Sequence, residues 1–293
     1  MERPRVACVT CRVLPEPDPD QEILLDAIRR RGADASLAAW DDPDVAWDRY
    51  DVCVLRSAWN YYHDRPGFLA WARRVDGVSR LENPLSVVED NTDKRYLARL
   101  AAAGVPIVPT EIVAPGERPE LDALLARRGW DDVVIKPLIG AASHRNLRAR
   151  PGQEARAHLA ELAAGPGALL QPYLQGVEEP GERSIIWIDG AVTHAIRKTA
   201  RFWGEDERVS LDAVPIPLGG EALLLAALAA LGHDELVYAR VDVVPDAVGE
   251  LAIMEVELTE PSLYLAQSDV ALERFADALV REAAQRAASR SRR

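Results

Sequence analysis

Near the end of the chain, two β-rich segments flank a short turn, and acidic residues interrupt both segments. The turn reads PDAVGE, with Asp242 before it and Glu255 and Glu257 after it. Because side chains alternate between the faces of a strand, Glu255 and Glu257 share one face. If the turn places Asp242 opposite Glu255 or Ile253, all three carboxylates lie on that face. A register slip of one residue would send Asp242 to the other face.

Three carboxylates on one sheet face repel one another unless a cation lies between them. Magnesium fits such a position because it prefers oxygen ligands at ~2.0–2.1 Å and shares them with substrate phosphates. A charged strand face that points into solvent is the alternative interpretation. The hairpin alone does not distinguish the two.

The first 82 residues alternate short apolar runs with helical spacing. The apolar runs lie at 6–9, 36–39 and 51–55, and the helical patterns lie at 20–31 and 66–75. This alternation predicts a parallel α/β unit, in which ligands bind at the carboxyl ends of the strands. Arg56 follows the third run and could hold a substrate carboxylate there through two hydrogen bonds. A structural arginine at a strand end is the alternative.

A domain boundary is predicted near Asn83 and Pro84, and 293 residues allow more than one core. We expect domains at 1–82, 83–173 and 174–293. Beyond the boundary, helices are predicted at 93–103, 119–128, 153–164 and 221–231. Extended segments are predicted at 105–113, 133–136, 168–171, 185–189, 192–197, 236–244 and 251–258. The connection at 199–211 is expected to be mobile.

Lysine is scarce in this chain, and its positions are therefore informative. The only lysines are Lys94, Lys136 and Lys198, among 35 basic residues. A chain that otherwise uses arginine can retain lysine where a compact ammonium group is needed, as beside phosphate oxygens. Lys136 ends an apolar strand, which would orient its side chain. A surface lysine at a strand end is the alternative.

Two further segments have the composition of nucleotide-binding elements. The loop at 140–146 contains small residues that let backbone N–H groups approach phosphates, and Ser143 adds a donor. A flexible connection is the alternative for this loop. The segment LLQPYLQGVE at 169–178 ends a strand with backbone groups that can face a purine, followed by a carboxylate that can bind ribose hydroxyls.

Composition excludes several classes of function. The net charge of −12 disfavours a general nucleic-acid-binding protein, because phosphate backbones are repelled. No apolar run approaches the ~18 residues of a membrane span, and a cytoplasmic protein is expected. Cys8 and Cys11 form a CxxC pattern without a second pair or a suitably spaced histidine, which favours packing over zinc or redox chemistry. A homodimer is expected on base rates alone.

Together, and in this order, these segments resemble the ATP-grasp superfamily. NTDKRYLARLAAAGVPIVPT is similar to the helix and strand that open the ATP-grasp module, and VVIKP is similar to its second lysine strand. LLQPYLQGVE resembles the adenine and ribose hinge, and RVDVV with IMEVELTEPS resembles the metal-binding strands. The resemblance covers roughly residues 83–265. It implies an α/β ATP-grasp fold preceded by a parallel α/β pre-ATP-grasp domain.

The resemblance also implies a site that binds ATP and Mg²⁺. The implied ATP-binding residues are Lys94, Lys136, Ser143, Gln171, Tyr173, Leu174 and Glu178, with Glu182 as the alternative for the ribose. The implied metal ligands are Asp242, Glu255 and Glu257, and the implied catalytic cations are Lys136, Arg197 and Lys198. Arg56, Arg183 and Ser262 are the candidates for holding a substrate carboxylate. One departure concerns the last strand, where the family usually has Glu-x-Asn and this chain has Glu255-Val256-Glu257.

Within the superfamily, GERSIIWIDGAVTHAIRK and VLRSAWNYY most resemble glutathione-synthetase-like bacterial ligases. That group includes a ring-closing ligase that converts O-ureido-serine to cycloserine. The resemblance implies an ATP-dependent ligase that activates a small carboxylate as an acyl phosphate and joins it to an amine-type nucleophile. A nucleotide-binding sensor without catalysis and a small-molecule kinase are the alternatives.

Overall fold

The computed structural model describes residues 3–199, 201–202, 205 and 208–290. The predicted mobile connection at 199–211 therefore lies partly outside the described residues. Within the described ranges, no helix is both long and apolar enough to cross a membrane.

The N-terminal part is a parallel four-stranded sheet with helices on both faces, as the alternating pattern predicts. Its strands are β1 (Arg5–Thr10), β2 (Asp34–Ala39), β3 (Val52–Ser57) and β4 (Arg80–Glu82), in the order β2-β1-β3-β4, and its helices are α1 (Asp20–Arg30) and α2 (Arg65–Val78). Successive residues of β1 and β3 pack into different cores, so both faces of the sheet are buried. Cys8 and Cys53 are buried in these strands, and burial raises the pKa of each thiol to about 12. They are packing residues.

Two antiparallel sheets follow. The first contains β5 (Glu111–Val113), β6 (Val133–Pro137), β7 (Leu147–Ala149) and β8 (Ala168–Pro172), in the order β5-β8-β6-β7. Its apolar face packs on α5 (Leu121–Arg128) and α6 (Gln153–Ala164). The second contains β9 (Glu182–Ile188), β10 (Ala191–Lys198), β11 (Tyr238–Pro245) and β12 (Leu251–Glu257), in the order β10-β9-β11-β12. The predicted hairpins are therefore present as β9–β10 and β11–β12.

The helix predicted at 93–103 is present as the shorter α4 (Tyr96–Ala102), and it is preceded by a short helix, α3 (Leu85–Asn91), that the sequence does not predict. Asp93 accepts a hydrogen bond from the backbone N–H of Arg95 at 3.1 Å, and such local bonds compete with a helix. The backbone N–H of Lys94 instead donates to the carbonyl of Leu138, just after β6. This contact places Lys94 beside the second lysine strand.

The second antiparallel sheet packs against helices on both faces. On one face, α7 (Gly220–Leu231) and α4 share a core with β9, β11 and β12. On the other, the long C-terminal helix α8 (Asp269–Arg290) shares a core with β9, β10 and the N-terminal sheet. The two sheets are therefore joined through a common core, which brings the carboxyl ends of β1 and β3 toward the end of β12.

Asn83 links the N-terminal sheet to the second antiparallel sheet through its side chain. It is fully buried, and its amide donates to the carbonyls of Tyr238 at 2.9 Å and Leu258 at 2.7 Å. Its side-chain oxygen accepts from the backbone N–H of Val237 at 2.8 Å. All three backbone groups would be left without this partner if the side chain were removed.

We predict that Asn83→Ala lowers the free energy of unfolding by about 2–4 kcal/mol, because it leaves three buried backbone groups unsatisfied. The thermal midpoint should fall by about 4 °C or more, measured by differential scanning calorimetry. Asn146→Ala is the matched control, since the Asn146 side chain makes no hydrogen bond with a described residue. Equal midpoints in the two variants would contradict the linking role of Asn83.

Candidate active site

The three acids of the last hairpin converge as the sequence predicts. Asp242 on β11 pairs with Glu255 on β12, and the register shifts immediately after this pair, so that Met254 has no partner. Carboxylate oxygens of Asp242, Glu255 and Glu257 lie within 4.8 Å of one another. The hairpin face is therefore a cleft wall and not a solvated surface, because Asp242 is only 2% exposed.

Three cationic side chains neutralise this carboxylate cluster. The Lys94 ammonium lies 2.7 Å from Glu255, and the Lys198 ammonium lies 3.1 Å from Asp242. Arg240 donates from Nε to Asp242 at 3.0 Å and from Nη2 to Glu257. These contacts are charge-assisted hydrogen bonds, which are the strong ones in proteins.

The pKa values of the carboxyl groups reflect burial and these cations. Burial acts to raise the pKa of Asp242, but Arg240 and Lys198 hold it well below its usual range. Burial raises the pKa of Glu257 to about 7, opposed by Arg240 and reinforced by Glu255. Three oxygen ligands in one buried cluster match the donor set of a magnesium site. The charge of Glu257, at the position where the ATP-grasp resemblance implies an amide, is balanced by Arg240.

Lys136 enters the same cleft from β6 and has a different environment. It is 7% exposed and makes no hydrogen bond or ion pair with the described residues. Burial lowers its pKa, while Glu255 and Glu182 act in the opposite direction. A buried ammonium group without a partner favours an anionic ligand.

The loop at 140–146 closes one side of the cleft. Ser143 lines the cleft with a φ of 55°, a left-handed conformation that is uncommon outside glycine. Lys94 donates to the carbonyl of Gly140 at 2.8 Å, and the His144 ring stacks on Tyr62 with centroids 4.3 Å apart. The loop therefore contacts both the segment before α4 and the N-terminal part, and it lies where its N–H groups can face the cleft.

The hinge after β8 lies opposite this loop. Gln171, Tyr173 and Leu174 line the cleft beside apolar groups of Val134 and Met254. This part of the cleft has apolar walls, which suit a planar ring. The three predicted adenine-binding residues are therefore brought together.

The two predicted ribose-binding carboxylates lie in different places. Glu182 is 8% exposed, lines the cleft and pairs with Lys198 at 2.8 Å. Glu178 does not line the cleft, because it accepts a hydrogen bond from the Tyr173 hydroxyl at 2.6 Å and faces Arg148. Because only Glu182 lines the cleft, the structure favours it over Glu178 as the ribose-binding residue.

None of the three arginines predicted for the site lines the cleft. Arg56 is fully buried between the rings of Tyr238 and Phe275, and it donates to the carbonyl of Pro261 at 3.1 Å. This contradicts its predicted role in holding a substrate carboxylate. It extends from β3 into the core shared by the two sheets, so a substrate does not reach it.

Arg183 and Arg197 bind the turn before β9 instead. Arg183 donates to the carbonyls of Pro180 and Gly181, each at 2.9 Å, and Arg197 donates to the Pro180 carbonyl at 2.8 Å. Neither lines the cleft, so the structure does not support their predicted substrate and catalytic roles. Ser262 does line the cleft, next to the carboxylate cluster.

The cleft residues that the sequence interpretation missed include Arg240, Glu260 and Tyr61. Arg240 could have been found, because it precedes Asp242 by two residues and so shares its strand face. Glu260 and Tyr61 reach the cleft from loops after β12 and β3, and no local pattern marks them. Burial, reinforced by Glu257, raises the pKa of Glu260 to about 8.

Comparisons with known proteins identify relatives of the whole chain. A family model described as the N-terminal domain of D-cycloserine synthetase DcsG matches residues 6–83. The cycloserine biosynthesis protein DcsG of Streptomyces lavendulae is 39% identical over 290 residues, covering 94% of this chain and 97% of the relative. The similarity thus extends well beyond the N-terminal sheet.

Solved structures agree with this relationship. The crystal structure of D-cycloserine synthetase DcsG superimposes with a TM-score of 0.87 at 38% identity, covering 95% of this chain and 99% of that chain. The D-alanine–D-alanine ligase of Bacillus anthracis has a TM-score of 0.68 at 16% identity, with 97% and 99% of the two chains covered, and shares the fold. The chain therefore belongs to the DcsG family of ATP-grasp ligases, which confirms the predicted ATP-grasp fold and the predicted class of ATP-dependent carbon–nitrogen ligase.

Proposed function

We propose that this protein is a magnesium-dependent, ring-closing ligase that makes cycloserine from O-ureido-serine through an acyl phosphate. The observation that carries the proposal is the cleft in which three carboxylates and four cations converge: Asp242, Glu255, Glu257, Lys94, Lys136, Lys198 and Arg240. The 39% identity to the cycloserine biosynthesis protein supports the choice of substrate.

Asp242, Glu255 and Glu257 would hold magnesium. Their oxygens meet within 4.8 Å, and the cluster needs positive charge to be stable, so the residues fit the ion. When bound, magnesium would neutralise phosphate oxygens of ATP during transfer. Glu257 would contribute a charged ligand at the position where the ATP-grasp resemblance implies a neutral one.

The cations of the cleft would hold the phosphates. Lys136 makes no hydrogen bond or ion pair with a residue that the structure describes, which makes its ammonium available to an anion. Lys94, Lys198 and Arg240 bind the same carboxylates that would hold the metal, so they reach the same space. Together they place positive charge around a transferring phosphoryl group, which is the main requirement for its transfer. Arg240 takes the catalytic place that the sequence assigned to Arg197.

The remaining cleft residues would position the two substrates. Gln171, Tyr173 and Leu174 would flank the adenine, and Glu182 would accept from the ribose hydroxyls. Ser143 would donate to the phosphates. Ser262, beside the carboxylate cluster, would donate a hydrogen bond to the substrate carboxylate.

The reaction would proceed in two steps. The substrate carboxylate attacks the γ-phosphorus of ATP, which gives an acyl phosphate and ADP. The nitrogen attached to the side-chain oxygen then attacks the activated carboxyl carbon and displaces inorganic phosphate. Water hydrolyses the bond between this nitrogen and the carbamoyl group, which gives cycloserine and carbamic acid, and the carbamic acid decomposes to carbon dioxide and ammonia. Holding both reacting groups of one molecule in this cleft favours ring closure over reaction with water.

The proposed activity is tested by incubating the protein with ATP, Mg²⁺ and each enantiomer of O-ureido-serine. We expect ADP, inorganic phosphate and cycloserine in equal amounts, measured by coupled assay and mass spectrometry. ADP with a stable phosphorylated product would indicate a kinase instead. Nucleotide binding without turnover of any substrate would indicate a sensor.

We predict that Lys136→Ala or Glu255→Gln lowers kcat/KM at least tenfold, equivalent to about 1.4 kcal/mol. Each change removes charge that the proposal places next to the transferring phosphoryl group. The matched control is Glu250→Gln, which alters an exposed carboxylate on the turn of the same hairpin. Turnover of both variants at the rate of the control would contradict the proposed site.

We also predict that ATP with Mg²⁺ raises the thermal midpoint more than ATP with EDTA, because a ligand that binds only the folded protein stabilises it. In Asp242→Asn the difference between the two conditions should disappear. Differential scanning fluorimetry measures this without knowledge of the substrate. An undiminished magnesium effect in Asp242→Asn would place the metal elsewhere.

A further inference from the structure

One carboxyl group of the cleft has no role in the contacts described above. Six acidic residues line the cleft, and five of them form ion pairs with a described cation: Glu16, Glu182, Asp242, Glu255 and Glu257. The sixth, Glu260, makes no hydrogen bond or ion pair through its side chain with the described residues, although it is only 8% exposed. Burying a carboxyl group without a partner costs free energy, unless a ligand supplies the missing hydrogen bonds or charge.

The surroundings of Glu260 form a built pocket. The Trp59 indole donates to the Glu260 backbone carbonyl at 2.9 Å and thereby fixes the loop after β12 to the loop after β3. Tyr61, on the same loop as Trp59, is 3% exposed and lines the cleft. Its hydroxyl makes no hydrogen bond with a described residue. Two polar groups without partners therefore face one part of the cleft.

Glu260 and Tyr61 act on each other electrostatically. Burial is the main cause of the raised pKa of Tyr61, and Glu260 is the charged group that contributes most to it. Trp59 and Tyr61 line the same cleft, and their aromatic rings add a surface that attracts cations. A carboxylate, a hydroxyl acceptor and aromatic faces together are suited to an ammonium group.

We infer that Glu260, together with Tyr61, binds the α-ammonium group of an amino-acid substrate. The inference rests on the proposed function, because such a substrate retains a free amine while its carboxylate is activated. The position agrees with this, since Ser262, the candidate for the carboxylate, lies two residues away and lines the same cleft. The α-amine and the carboxylate of an amino acid are attached to one carbon, so their binding groups must be neighbours.

The inference gives Glu260 a role in specificity. A site that bonds a charged group discriminates strongly against an analogue that lacks it, because the buried protein group is then left unpaired. Glu260 would therefore select α-amino acids over simple carboxylic acids. Magnesium and ATP phosphates would not need it, since their contacts are made by the other acids and by the lysines.

The test compares two substrates in four forms of the protein. The substrates are O-ureido-serine and its analogue without the α-amine, 3-(carbamoylaminooxy)propanoic acid. The proteins are wild type, Glu260→Gln and Glu16→Gln, which alters the cleft carboxylate already paired with Arg201 at 2.6 Å. Glu221→Gln, on the exposed face of α7, is the control for a surface change. KM for ATP and the thermal midpoint report whether the nucleotide site and the fold are intact.

We expect wild type to prefer the amino substrate at least tenfold in kcat/KM, equivalent to about 1.4 kcal/mol. Glu260→Gln should lose this preference through a higher KM for the amino substrate, with little change for the analogue and for ATP. Equal losses for both substrates, an unchanged preference, or loss of the preference in Glu16→Gln instead would overturn the inference. If wild type converts neither substrate, the proposed function fails and the inference falls with it.

Discussion

The pairing of buried carboxylates with buried cations is the interaction on which the site depends. Asp242 is almost completely removed from water, and two neighbouring glutamates share its surroundings. Removing one partner of a buried ion pair typically costs about 3–5 kcal/mol, because the other charge is left uncompensated. Lys94, Lys198 and Arg240 therefore do more than line the cleft. They make it possible for three acids to face each other in the folded protein.

This balance requires four parts of the chain to meet. Arg240 and the acids come from one hairpin, whereas Lys198 ends β10, which β9 separates from that hairpin, and Lys94 precedes a short helix. Lys136 comes from the other antiparallel sheet. The backbone contact between Lys94 and Leu138 joins the two lysine elements directly. A nucleotide that binds between the sheets would thus meet charge from both sides.

Much of this arrangement follows from local sequence. Alternation places Glu255 and Glu257 on one face of their strand and Arg240 and Asp242 on one face of theirs, and the pairing of Asp242 with Glu255 brings the two faces together. Alternation also explains the error at Arg56, which has the same parity in β3 as Val52 and Val54, and these two residues pack in the core between the sheets. For Arg56, the strand face predicts burial in the core correctly, whereas the position at the end of the strand predicts a ligand-binding role that the structure does not support.

The other differences depend on contacts between distant segments. The helix predicted at 93–103 begins only at Tyr96, because Asp93 bonds to Arg95 and Lys94 bonds to Leu138, and helical spacing reports neither contact. Glu260 reaches the cleft because the N-terminal sheet packs against the second antiparallel sheet through α8. Its partner Trp59 lies about 200 residues earlier in the chain. Such pairing is set by the tertiary fold, so a single sequence does not show it.

The most direct measurement is a crystal structure of the protein with a non-hydrolysable ATP analogue and Mn²⁺ in place of Mg²⁺. Anomalous scattering locates the metal independently of the surrounding density. The account predicts a peak bound by carboxylate oxygens of Asp242, Glu255 and Glu257 at distances near ~2.1 Å, shared with phosphate oxygens. Nucleotide bound in the cleft with its metal away from these three residues would contradict it.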